Sequence, residues 1–193
     1  MELKGSRTEK NLLTAFIGES QARNKYTYFA GVANKEGLVQ ISKVFEETAN
    51  HEKEHAKRLF KFLTECTPIQ IDATFSAGKI GTTIENLYDA ASGEKHEVEH
   101  MYPEFAAIAR EEGFEAIAKI MEAIVKAEDY HRRRYEKFIK ELETKSSFKS
   151  GKTVIWKCNN CGHLHEGPEA PLACPACAHP QAYFEILNST DDL

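Results

Sequence analysis

Ala33-Asn34-Lys35-Glu36-Gly37 recurs as Ala109-Arg110-Glu111-Glu112-Gly113, 76 residues further along the chain. The same interval carries Tyr26 to Tyr102, Glu46 to Glu122, Glu52 to Glu128 and His55 to His131. An interval of 75 carries Gly18-Glu19 to Gly93-Glu94. Apolar residues at helical spacing run up to Gly37 (Leu12, Ala15, Phe16, Tyr26, Phe29, Ala33) and away from it (Ile41, Val44, Phe45, Leu59, Leu63). A glycine just past a helix is a common terminator, so the repeated unit reads as an αα-hairpin. Used twice, it predicts an all-α four-helix bundle.

Two capping boxes open the hairpins, Ser6-Arg7-Thr8-Glu9 and Thr82-Thr83-Ile84-Glu85. The third helix is expected from Thr82 to about Glu112, and the fourth to about Glu143. Residues 66–79, with Pro68 and Gly78, have no clear period. A helix of about 28 residues is roughly 42 Å long. Fourteen extended residues reach about 46 Å. That is enough for a single crossover along the bundle.

Counting outward from the two turn glycines brings four acids to one depth. Glu19 lies 18 residues before Gly37 and Glu52 15 after it, while Glu94 lies 19 before Gly113 and Glu128 15 after it. His55 and His131 follow Glu52 and Glu128 at i+3, on the same helix face. A lone Glu-x-x-His is an ordinary helical pair, and Glu97–His100 is read as one. The full set, one Glu on each of two helices and Glu-x-x-His on the other two, is the arrangement of a di-iron or di-manganese carboxylate site. Carboxylates bridge two hard cations, imidazole suits iron, and burying such acids without cations would be very unfavourable. Between Glu94 and Tyr102 the repeat interval slips from 75 to 76, one extra residue beside a ligand. A helix commonly absorbs such an insertion as a π-bulge. Spacing leaves Glu97 open, as a re-aimed ligand or a solvated acid. It also leaves Tyr26 and Tyr102 open, as core aromatics or as hydrogen-bond donors to the ligand carboxylates.

The C-terminal stretch has a different texture. Cys158, Cys161, Cys174 and Cys177 form CxxC–x12–CxxC, and four of the six prolines lie between residues 158 and 180. Two such knuckles hold one metal in four sulfurs, and the spacing does not separate structural zinc from redox iron. A module of about 40 residues has little core without that metal. The division expected is a bundle over 1–146, a polar linker over 147–152 and a metal module over 153–193. Cys66 is read as a bystander.

Composition narrows the function. With 193 residues, 41% hydrophobic and 28% charged, the chain can bury a real core. A net charge of −5 argues against a general nucleic-acid binder. No apolar run approaches a membrane span and no signal peptide is read at the start. A soluble, cytoplasmic protein is expected, with paired CxxC motifs serving metal rather than disulfides.

Taken together, these residues resemble the rubrerythrin family over essentially the whole chain. The likeness is carried by KGSRTEKNLLTAFIGESQARNKY (Lys4–Tyr26), HEKEHAKRLFKFL (His51–Leu63), GEKHEVEHMYPEFA (Gly93–Ala106), EDYH (Glu128–His131) and the terminal CNNCG and CPACAHP. The resemblance implies a ferritin-like bundle with a non-haem di-iron site, followed by a rubredoxin-like domain with one iron on four thiolates. It makes Glu52 and Glu128 bridging ligands, Glu19 and Glu94 terminal ones, and His131 a fixed ligand. It makes His55 and Glu97 the pair between which one iron moves, which decides Glu97 as a ligand, and matches Tyr26 and Tyr102 to tyrosines beside the ligands. The implied activity is reduction of hydrogen peroxide to water in oxidative stress defence. Electrons are expected from NAD(P)H through a separate reductase and rubredoxin or a similar carrier, since no GxGxxG is present. The family implies three irons per chain and a homodimer, and zinc is a possible substitute for iron. The rival readings are a ferroxidase or iron-storage protein, and a zinc ribbon on a structural bundle.

Overall fold

The computed structural model describes residues 2–64 and 67–187. Cys66 and the acidic tail lie outside the described residues. The first hairpin is α1 (Arg7–Lys35) and α2 (Val39–Phe60). The second is α3 (Thr83–His96), a π-helical segment (Glu97–Met101) and α4 (Tyr102–Glu111), which form one long interrupted helix, and then α5 (Glu115–Glu143). The inserted residue is thus taken up as a π turn, beginning at Glu97 itself.

Local chemistry sets these boundaries. The Thr82 hydroxyl accepts from the Glu85 N–H while the Glu85 carboxylate accepts from the Thr82 N–H, a complete capping box. At α1 only half the box forms, because Glu9 turns its carboxylate to the Gly5 N–H at 2.7 Å. Gly37 and Gly113 both have positive φ, +75° and +84°. The N–H of Leu38 reaches Ala33 O at 2.8 Å and that of Phe114 reaches Ala109 O at 2.7 Å, so both repeats end in the same Schellman turn. The α5 terminus makes this turn too, with Ser146 N–H on Glu141 O at 2.8 Å, but Lys145 fills the left-handed position at φ 53°.

The bundle has two apolar cores. One gathers Tyr26, Phe29, Phe45, Leu87, Tyr135 and Phe138. The other gathers Leu12, Leu59, Tyr102, Ala106, Ile117 and Met121. Each large side chain so buried contributes about 1.5–3 kcal/mol. Between them lies a polar layer in which Glu19, Glu52, Glu94, Glu128 and His131 are all almost wholly buried. The crossover runs along α1, pinned where the Gln21 amide donates to Ser76 O at 2.9 Å.

The C-terminal module is a three-stranded antiparallel sheet of β1 (Lys149–Cys158), β2 (Leu164–Glu169) and β3 (Phe184–Ile186), in the order β2-β1-β3. β1 begins at Lys149, inside the stretch expected as linker, because Lys149 pairs with Glu169 beyond a register shift in the ladder and through a 3.0 Å ion pair. Trp156 and Phe184 fill the small core, and the Trp156 indole donates to Gly167 O at 3.1 Å.

An L-residue in the left-handed region costs roughly 1–2 kcal/mol that glycine does not. Lys145→Gly is therefore expected to stabilise the protein by about 1 kcal/mol, read as a shift of the denaturant midpoint. An unchanged or lower midpoint would contradict this account of the α5 terminus.

Candidate metal centres

Two quartets of ligand-type atoms meet in the polar layer, each within 4.8 Å of one another: Glu19, Glu52, His55 and Glu128, and Glu52, Glu94, Glu128 and His131. Glu52 and Glu128 belong to both, the positions that bridging carboxylates would need. Each quartet holds three acids and one imidazole, and the hairpin repeat exchanges one for the other. His131 Nδ1 lies 2.7 Å from Glu128, 3.1 Å from Glu52 and 3.6 Å from Glu94. His55 Nδ1 lies 2.8 Å from Glu128 and 2.9 Å from Glu52.

The tyrosines cross between the halves. Tyr26 on α1 donates its hydroxyl to Glu94 Oε1 on α3 at 2.5 Å. Tyr102, at the start of α4, donates to Glu19 Oε1 on α1. Each comes from a different apolar core, so the acids are held from both ends. Glu97, half-buried at the head of the π segment, stands outside both quartets, yet burial and the charges of Glu19, Glu94, Glu128 and Glu52 push its carboxyl well above the usual range.

This layer fits a pair of cations on its own chemistry. Glu19 Oε2, Glu52 Oε1, Glu94 Oε2, both Glu128 oxygens and His131 Nδ1 are buried without a well-aligned hydrogen bond, the imidazoles meeting these Glu52 and Glu128 oxygens only as ion-pair contacts. Buried polar atoms are nearly always paired, and these converge on one space. Proton affinities show the same strain. Burial and the charges of Glu128 and Glu52 push Glu19 well above the usual carboxylate range, and burial lifts Glu94 to about 8. Burial opposes a charged imidazole, yet the surrounding carboxylates carry His131 up to about 12 and His55 to about 10. Glu128, buried but flanked by His131 and His55, falls to about 2.

One neighbour has no signal in the spacing. His51 Nδ1 lies 3.0 Å from His131 Nε2, the two rings nearly parallel at 14°. It fixes the far nitrogen of His131 and so aims Nδ1 at the carboxylates, as partners of metal-binding histidines do. Only its place directly before Glu52 hints at such a role.

The four thiols also converge. Cys158 Sγ lies 3.8 Å from Cys177 Sγ and Cys161 Sγ 3.7 Å from Cys174 Sγ. A metal at about 2.3 Å from four sulfurs needs edges of roughly 3.8 Å. The two knuckles are copies: Gly162 N–H reaches Cys158 O, and Ala178 N–H reaches Cys174 O, both at 2.8 Å. The backbone at His179 draws the Cys177 thiol down to about 6, while, against the backbone at His163, the neighbouring thiols push Cys161 up to about 12. Cys158 and Cys174 are buried and Cys161 is exposed, so one side of the knot faces solvent.

Linkage gives a test. With raised pKa values for His131, His55, Glu94 and Glu19, the folded metal-free protein holds more protons than the unfolded chain. Its stability falls as pH rises from about 4.5, where free carboxyls ionise, through 6.5 and on to about 12. The depressed Glu128 acts only below about 4.5, where stability falls as pH drops. Metal-free protein should therefore melt at higher temperature at pH 6 than at pH 9. Loading divalent metal at pH 7 should expel about three protons or more per chain, read by titration calorimetry in buffers of different ionisation enthalpy. Loading without proton release would refute the protonated layer.

Comparison with known proteins agrees with this geometry. The family model for rubrerythrin matches residues 10–139, and that for the rubrerythrin rubredoxin-like domain matches residues 156–185. Rubrerythrin of Nitratidesulfovibrio vulgaris is 56% identical over 96% of this chain and 97% of its own. Rubrerythrin of Porphyromonas gingivalis is 54% identical over 97% and 93%. A solved structure of fully reduced, all-ferrous nigerythrin superposes with a TM-score of 0.63 at 30% identity, over 95% of this chain and 91% of that one. The chain belongs to the rubrerythrin family, a ferritin-like di-iron domain followed by a rubredoxin-like domain.

Proposed function

We propose that the protein is a peroxidase that reduces hydrogen peroxide to two molecules of water, consuming two electrons and two protons, in defence against oxidative stress. The observation that carries this reading is the pairing, in one chain, of a carboxylate site for two metals with a four-thiolate knot. A ferroxidase takes its electrons from ferrous iron and needs no built-in donor. A knot with one exposed edge suits electron entry.

In this reading the bundle holds two irons and the knot a third, about three per chain, with zinc able to replace iron on the same ligands. Bound ferrous iron supplies two electrons and polarises the peroxide. The chain supplies the frame. Glu52 and Glu128 span both positions, Glu19 and Glu94 hold the outer sides, and His131 is fixed by His51. His55 and Glu97 offer alternative ligands at one of the positions, and this structure has His55 turned in. Tyr26 and Tyr102 draw charge from Glu94 and Glu19 and keep those carboxylates aimed.

Electron supply calls for a second copy. A Cβ on Gly37 would lie 3.8 Å from Ala182, so the module sits against the α1–α2 turn. The module also reaches along α2 toward the site, with Lys157, next to Cys158, in one cavity with Glu47 and Arg134. We infer a homodimer in which one chain's knot serves its partner's bundle, as the family resemblance implies. The ultimate donor would be NAD(P)H, through a reductase and rubredoxin or a similar carrier. Reduced thiolates fit a cytoplasmic setting, and no helix among the described residues is long and apolar enough to cross a membrane.

Anaerobically reduced protein mixed with stoichiometric peroxide should show fast oxidation of both centres, with air reacting more slowly. Faster reaction with oxygen than with peroxide would overturn the reading in favour of a ferroxidase. Cys158→Ala should lower steady-state turnover by about 100-fold while leaving single-turnover oxidation of the prereduced bundle site within about twofold.

A further inference from the structure

We propose that small oxidants reach the bundle site through the cavity beneath the crossover, and that Gly18 and Gly93 hold this route open. The inference rests on the peroxidase reading for the identity of the oxidant, but not for the existence of the path.

The cavity has a volume of about 480 Å³ and lies between the crossover, α1 and the interrupted third helix. Its inner wall includes Tyr26, whose hydroxyl holds Glu94, and Glu97 at the head of the π segment. Its roof is the crossover, tied down by Gln21 on Ser76 O and flanked by the 2.5 Å Lys25–Asp89 ion pair. The cavity at the junction with the C-terminal module, lined by Gln40, Glu47, Arg134 and Lys157, reaches none of the proposed ligands. Nor does the one beside Tyr88 and Glu136.

Gly18 and Gly93 sit on the cavity wall inside α1 and α3, each one residue before a proposed ligand. A glycine within a helix is unfavourable relative to alanine. Neither has a positive φ, so the backbone does not require glycine. A Cβ at either position would meet no heavy atom within 4 Å, so close packing does not require it either. What the missing side chains leave is open space leading to Glu97 and Tyr26. Gly31, also helical and also in open space, is no part of that wall and serves as a control.

The test uses the iron-loaded full chain with Gly18 and Gly93 replaced together by Ala or by Leu, beside Gly31→Leu. Azide association with the oxidised site and peroxide oxidation of the reduced site are followed by stopped flow, with iron content and helical circular dichroism as checks. The double Leu variant is expected to slow both rates by tenfold or more, and the double Ala variant less. The final azide spectrum and the Gly31→Leu rates should be unchanged. The double Ala variant should also unfold at a higher temperature, which keeps the test alive if Leu prevents folding. Unchanged azide rates in folded, loaded variants would overturn the proposed route. Slowed azide entry in protein that peroxide does not oxidise would uphold the route and remove the peroxidase reading instead.

Discussion

Four glutamates packed into the middle of a bundle, each all but sealed from water, impose the constraint that organises the rest of the molecule. Like charges at such distances in a low-dielectric layer repel strongly, and only protons or cations relieve them. Everything near the layer answers that repulsion. His55 and His131 bring basic groups to it, and Tyr26 and Tyr102 each take up one carboxylate oxygen. The two apolar cores above and below keep water from doing the same work, so relief has to come from within the layer.

The repeat explains why this arrangement needs so little sequence. One hairpin supplies a terminal glutamate, a tyrosine, a shared glutamate and a histidine, and its copy supplies them again in reverse orientation. Cross-bracing follows directly, because each tyrosine holds the glutamate of the other hairpin. The C-terminal module repeats the strategy on a smaller scale, with two copies of a knuckle closing on one centre. In both places two copies of one short unit meet at the residues that would hold a metal.

Much of this could be read from spacing alone, because helices convert sequence intervals into depth and face. The four glutamates, both histidines and the π turn follow from counting residues around Gly37 and Gly113. The CxxC pairs give the knot in the same way. What counting does not reach depends on side-chain rotamers and on space. His51 is placed by a ring contact across two helices, Glu97 by its orientation at the π segment, and the cavity by side chains that are missing. The α2 terminus at Phe60 and the start of β1 at Lys149 depend on local turns and strand register that hydrophobic period does not record.

The two halves of the bundle differ in one more way, in exchange with the surroundings. By the repeat, the two metal positions have matching donors and would be expected to hold ions equally. The structure breaks that equivalence, because the His55 side chain keeps 18% of its exposure while His131 keeps 1%. An ion on the His55 side would be held by the more exposed of the two imidazoles. One on the His131 side is clamped behind His51. Symmetry of composition with asymmetry of access would leave an ion in the first position easier to exchange than one in the second, so a chain meeting mixed metals would fill the two positions by different rules.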